Sequence, residues 1–242
     1  FIVSATLGQS QMPYPPYSKP QDALIIPDKQ AFINFWVQAA TELKIHPNVL
    51  YEVFNEPAGG APADWLAVVQ QVVNAIRAIP DDHIVMYQWG YCDVQGMLTW
   101  YDIQPITGAN IVVTNHIYRY PPGATFSPGQ PTDIGYISSV LDSLRRMIQE
   151  RNRAVLITET GVWTNYPNPT DMQAELDYFK NTLAFLNTWG IGYQVHEWFA
   201  GEIGDGGPHG NWGIIEVNQP YFTMLNAAGQ ILETSITTTP PT

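Results

Sequence analysis

The chain has 242 residues, 45% of them apolar and 13% charged, with a net charge of −12. That length suits one large globular domain with a substantial core. The acidic balance argues against nucleic acid and anionic membrane surfaces as partners, since phosphates select Lys and Arg.

The chain then reads as strand, loop and helix in repetition. FIVSATL (1–7) is a short apolar strand, followed by a loop at 9–20 with four Pro and two Tyr. Residues 28–44 place apolar side chains at helical spacing behind Asp28, a plausible N-cap. NVLYEVF (48–54) is a strand that ends in Asn55-Glu56-Pro57. Residues 63–79 form a helix and 83–89 a strand, and NIVVTNHIY (110–118) is the next strand. A helix spans 134–150, AVLITET (154–160) is a strand, and a helix spans 170–190, with Thr170 and Gln173 spaced as a capping box and Gly190 past its end. IGYQVHEWF (191–199) is the last strand and 221–229 a short closing helix.

Six strands alternating with helices imply a parallel sheet buried on both faces. The expected fold is α/β: a (β/α)₈ TIM barrel with strands three to eight present here and the first two missing. A doubly wound open sheet competes, but no G-x-G-x-x-G follows any strand. Residues 1–232 are expected to form this one partial barrel domain. The Thr/Pro-rich stretch from 233 to 242 reads as the start of an extended linker, of the kind that tethers secreted modules. Such linkers suggest an exported protein, and Phe1 in place of an initiator Met suggests an incomplete N-terminus. No apolar run is long enough to span a bilayer. The single cysteine, Cys92, excludes a disulfide or a Cys-based zinc site within the chain.

In a barrel, the residues just past the strand C-termini line the active face. There the sequence places Asn55 and Glu56, His116 and Tyr118, Glu159, and His196, Glu197 and Trp198. An unpaired buried carboxylate is costly, so Glu56 and Glu159 are expected to be partnered or to face a cleft. Paired carboxylates suit glycoside hydrolysis, one donating a proton to the leaving oxygen and the other acting at the anomeric carbon. Asn55 could bond a sugar 2-hydroxyl, Tyr118 could donate to the nucleophile, and His116 could orient a hydroxyl or tune the proton donor.

The strand ending Asn-Glu-Pro (55–57), the His-x-Tyr at 116–118 and the strand ending ITETG (157–161) together resemble glycoside hydrolase family 5, a family of retaining (β/α)₈ enzymes. The run at 212–225 is similar to that family's closing segment. The resemblance implies Glu56 as acid/base and Glu159 as nucleophile. It also implies an endo-acting β-1,4-glucanase without metal or organic cofactor, acting on a polysaccharide, with residues 1–232 as its catalytic domain and room for a tethered carbohydrate-binding module beyond the linker. Mannan, xyloglucan or β-1,3-glucan are alternative substrates, and a non-catalytic carbohydrate-binding barrel is a further alternative. The sequence departs from the pattern in lacking a His after FIVSATL and in having Thr158-Glu159-Thr160 where Gly-Glu-Phe is commoner. The sugar-floor position of the last strand falls on His196 in one reading and on Trp198 in another. Trp198 is preferred because an indole face stacks on a pyranose. Trp163, just past a strand end, is a further candidate for sugar contact. Trp36, Trp65, Trp100 and Trp189 are expected in the core, and His46, His83 and His209 on the surface. The Gly-rich segment 201–211 reads as a rim loop.

Overall fold

The computed structural model describes residues 1–5, 28–55, 57, 62–88, 106–119, 134–162, 169–196 and 227–238. Six strands form one sheet: β1 (Ile2–Ser4), β2 (Leu50–Glu52), β3 (Val85–Gln88), β4 (Ile111–Ile117), β5 (Ala154–Thr160) and β6 (Gly192–Val195). Their order in the sheet is their order in the chain. A doubly wound sheet reverses its order at a switch point, so sequential order favours the barrel reading. Helices α1 (Lys29–Leu43), α2 (Pro62–Ala78), α3 (Ile134–Arg151), α4 (Pro169–Thr188) and α5 (Ala227–Thr238) follow β1, β2, β4, β5 and β6.

The chain divides into two compact units, residues 1–115 with 143–155, and residues 116–142 with 156–242. In the first unit β1, β2, β3 and β4 pair in parallel, with Val3 opposite Tyr51, Tyr51 opposite Val85 and Val85 opposite Ile111. These strands are short and Val/Ile/Tyr-rich because helices cover them. The core joins Trp36 and Ala40 of α1, Trp65, Val69, Val72 and Ile76 of α2, and Tyr51, Val85, Tyr87 and Val113 of the strands. The helix register follows from residue spacing: positions 69, 72 and 76 recur at 3.6-residue periodicity on one face. Asp28 caps α1, its carboxylate accepting from the Ala31 N–H at 2.8 Å, which satisfies one of the orphan donors of the first turn. Both indoles place their N–H on backbone carbonyls, Trp36 on Val53 (3.1 Å) and Trp65 on Gln88 (3.1 Å). Large aromatic rings can thus be buried with no unpaired donor.

At the N-terminal ends of these strands lies a polar cluster around His83, which is expected on the surface. His83 is half-buried, with Nδ1 2.5 Å from Asp81 Oδ1 and Nε2 2.8 Å from the His46 carbonyl. Tyr51 donates its hydroxyl to Asp81 Oδ2 at 2.9 Å. Arg77, in the last turn of α2, donates to the carbonyls of Asp81 (2.6 Å), His83 (2.9 Å) and Ala109 (3.1 Å). The expectation for His83 fails because its partner lies two residues away in a turn, where helix or strand periodicity gives no sign of it. His46 itself is exposed, as expected.

In the second unit β5 pairs with β6, and α4 packs on α5. Phe179 and Leu183 of α4, Ala228, Ile231 and Leu232 of α5, and Val162 and Tyr193 share one apolar cluster. The Asn187 amide donates to Ser235 Oγ at 2.7 Å across the same pair of helices. Two expectations are corrected here. The closing helix runs Ala227–Thr238 and so continues past the expected end at 229, which makes residues 233–238 helical and not extended linker. Apolar side chains at 228, 231 and 232 fasten it to α4, and that packing outweighs its poor helix formers. The second correction concerns α4, which begins at Pro169. Proline's missing N–H is harmless at the first helical position, so Thr170 lies inside the first turn and is not its cap. At the other end Gly190 has φ +62°, and the Ile191 N–H reaches back to the Leu186 carbonyl at 2.9 Å. This left-handed C-terminal closure favours glycine.

Candidate active site

Glu159 is the penultimate residue of β5, and its side chain is 27% exposed. Two side chains of the same unit touch it, and a third stands behind one of them. The Tyr118 hydroxyl donates to Glu159 Oε2 at 2.7 Å. His116 Nδ1 lies 3.4 Å from that same oxygen. The exposed His196 ring stands edge-on to Tyr118, with centroids 6.5 Å apart, and the His116 ring does likewise from the other side at 6.4 Å. His116 and Tyr118 are both buried. They reach Glu159 because they occupy alternate positions at and just past the C-terminal end of β4, where side chains i and i+2 share one face. The phenol hydrogen bond fixes one carboxylate oxygen of Glu159, while the side chain remains partly open to a ligand. The sequence reading allowed His116 to tune the proton donor. The structure sets it against Glu159, the expected nucleophile.

The strand carrying Glu159 is irregular. Ile157 pairs with Tyr193 and Thr160 with Val195, so β5 advances three residues while β6 advances two. The extra residue falls at Thr158–Glu159. Bulges of this kind break the alternation of side chains and re-aim one of them. Just beyond, the Thr160 carbonyl accepts the His196 N–H at 2.8 Å, and the Thr160 hydroxyl donates to the Ile117 carbonyl at 2.8 Å. Gly161 follows where the backbone of His196 comes closest: a Cβ there would lie 2.1 Å from the His196 carbonyl oxygen and 3.4 Å from Tyr118 Cε1. Only glycine fits such an approach. On the far side of Tyr118, Arg119 pairs with the fully buried Glu175 of α4 at 3.0 Å. Thr160, Gly161 and Glu175 are the positions that sequence reasoning missed as parts of this site.

In the first unit, Asn55 is half-buried just past β2, and its N–H donates to the Ala5 carbonyl at 2.8 Å. This extends the β1–β2 ladder to the strand end where the Asn-Glu-Pro motif begins. Further back, Glu52 is buried and accepts the Thr114 hydroxyl at 3.2 Å. Glu56, Trp163, Glu197 and Trp198 lie outside the described residues, as do Cys92, Trp100, His209 and the segment 201–211. Trp36 and Trp65 are core residues and Trp189 is half-buried. Among the described residues no group of three or more His, Cys, Asp or Glu side chains could hold a metal ion.

Solved structures share this fold. Endoglucanase Cel5A from the hyperthermophilic Thermotoga maritima superposes with a TM-score of 0.66 at 17% identity, covering 97% of this chain and 71% of that one. The cellulose synthase subunit Z from Clostridioides difficile gives a TM-score of 0.66 at 15% identity, covering 96% of this chain and 73% of its own. The architecture is therefore that of the (β/α)₈ barrels, with the six strands seen here corresponding to part of the closed sheet. In sequence, the chain is 26% identical over 186 residues to Endoglucanase 1 of Saitozyma flava, and spans about half the length of that relative, 52%. The family model for cellulase (glycosyl hydrolase family 5) matches residues 12–198. The chain belongs to that family.

Proposed function

We propose that this chain is the catalytic part of a retaining endo-β-glycanase acting on β-1,4-glucan. The observation that carries the reading is the 2.7 Å bond from Tyr118 to a partly exposed Glu159, in a chain of a glycosyl hydrolase family. Glu159 is the nucleophile. Both polar contacts fall on Oε2, so Oε1 is assigned the attack on the anomeric carbon. As the carbon–oxygen bond to the leaving sugar breaks, Glu56 gives its proton to the departing oxygen. The resulting glycosyl-enzyme is hydrolysed by water that Glu56 deprotonates, and two inversions give net retention. Negative charge leaves the Glu159 carboxylate during attack and returns during hydrolysis. The Tyr118 hydroxyl keeps that oxygen's orientation fixed through both steps. Asn55 is assigned the sugar 2-hydroxyl, Trp198 and Trp163 the sugar faces, and His196 a further substrate contact. A polymeric substrate that cannot enter a cell places the enzyme outside it, so export belongs to the proposal.

A mannan substrate is the second reading. One structure of the Thermotoga maritima enzyme, at a TM-score of 0.64, was determined with mannotriose. The test is hydrolysis of a polysaccharide panel, with the anomeric configuration of the first-formed product read by NMR. Glu159→Ala should abolish activity, and azide should restore it by forming a glycosyl azide of inverted configuration. An active Glu159→Ala without azide sinks the assignment.

A further inference from the structure

We infer that Thr160 is a positioning residue that sets the aim of the nucleophile, an inference that rests on the function proposed above. Thr160 joins three strand ends. Its hydroxyl is bonded to the Ile117 carbonyl of β4, and its carbonyl receives the N–H of His196 past β6. It is fully buried. The hydroxyl bond joins the residues next to the two groups that must meet, because Ile117 precedes Tyr118 and Thr160 follows Glu159. The hydroxyl bond therefore fixes the spacing between the donor and the carboxylate it grips.

That spacing needs fixing because β5 is bulged just there. The extra residue at Thr158–Glu159 releases Glu159 from the alternation that would otherwise dictate its direction. A ladder interrupted by a bulge is held in place by its next bond, and Thr160 supplies two. Gly161 reinforces this by letting the His196 carbonyl lie against the chain. On the other side, the Arg119–Glu175 pair, 3.0 Å apart, anchors the residue after Tyr118. Tyr118 is thus flanked by two fastened residues, and of these anchors Thr160 is the one continuous with the nucleophile's own strand. Removal of its hydroxyl leaves the Ile117 carbonyl without that donor and lets the ends of β4 and β5 slide. A misplacement of about 1 Å in a reacting pair can lower a rate by roughly 100-fold.

The experiment compares the complete protein that carries this chain with Thr160→Val, Thr160→Ser and Glu159→Gln, using an aryl β-cellobioside and rates normalised to folded protein by circular dichroism. Thr160→Val should lower kcat by about tenfold or more while KM changes by less than about twofold. Thr160→Ser, which keeps the hydroxyl, should retain most of the rate. If Thr160→Val does not fold, Thr160→Ala carries the same expectation. A Thr160→Val or Thr160→Ala rate close to that of the unaltered protein, or a Thr160→Ser loss as deep as theirs, overturns the inference while an inactive Glu159→Gln leaves the proposed function standing. An unaltered protein without activity, or a Glu159→Gln that keeps it, overturns both.

Discussion

Tyr118 and Glu159 meet through a single 2.7 Å hydrogen bond whose donor is buried and whose acceptor is partly open to solvent. The donor can be removed without altering the shape of the site. Tyr118→Phe should therefore leave the fold intact and lower kcat by roughly 10- to 100-fold, as expected for a hydrogen bond to a charged group of about 1.5–3 kcal/mol. Steady-state kinetics beside a thermal melt checks this. A melt that falls steeply while the rate per folded molecule holds would show Tyr118 to be a packing residue.

Arg119 and Glu175 form an ion pair in which Glu175 is fully buried. Losing one partner leaves the other's charge buried without this pairing, which costs more than replacing both. Arg119→Met alone should destabilise by about 3–5 kcal/mol, whereas Arg119→Met with Glu175→Leu should recover much of that loss. Chemical denaturation of the single and double variants gives the coupling energy directly.

Gly161 sits where a methyl group would meet the His196 carbonyl at 2.1 Å. Gly161→Ala should push the end of β6 away and disturb Tyr118, whose Cε1 is next in line at 3.4 Å. The expected loss is about 1–3 kcal/mol of stability, the usual range for overpacking, together with a fall in kcat. Unchanged melting and unchanged kinetics would show that β6 yields without consequence.

The Asp81–His83 pair makes stability depend on pH. Both ring nitrogens of His83 face acceptors, the Asp81 carboxylate and the His46 carbonyl, so only the imidazolium satisfies both. Burial opposes that charge, but the bonds to Asp81 and to the His46 carbonyl outweigh it, and the His83 pKa is raised despite the nearby Arg77. Burial likewise opposes the Asp81 anion, while hydrogen bonds from His83 and Tyr51 hold its pKa below the usual value. The His83 contribution is complete below about pH 6.5, its unfolded value, and fades as pH rises through the elevated folded one. The Asp81 contribution is complete above about pH 3.9 and is lost as pH falls through its depressed value. His83→Gln should therefore show its largest melting deficit at about pH 5–6, shrinking on the alkaline side. A deficit constant from acid to alkaline pH would refute the charged assignment.

The elements were legible where residue spacing carried them. Apolar recurrence along α1 and α2 and the β-branched runs of β4 and β5 announced both type and position. The strand ends with Asn55, His116, Tyr118 and Glu159 were legible too, because acids, amides and imidazoles interrupt apolar runs there. The reach of helix α5 past 229 was not legible because its threonines and Gly229 are weak helix formers, although Ala228, Ile231 and Leu232 mark the face it lays on α4. Thr160 and Gly161 were opaque for a different reason: their importance depends on how near Ile117 and His196 approach, a distance no local pattern encodes. His83 escaped for the same reason, since its neighbours are a turn carboxylate and a distant backbone carbonyl.

Arg77 threads one side chain through the turns that precede β3 and β4, gripping carbonyls at positions 81, 83 and 109. The Asn-Glu-Pro motif begins past the opposite end of β2. Rigidity in this unit is thus assigned to one rim, and ligand-facing variation can accumulate on the other. A directed-evolution library confined to the residues after the strands would explore new sugars on an undisturbed chassis, while even a conservative Arg77→Lys would trade a branched fork for a single point of attachment.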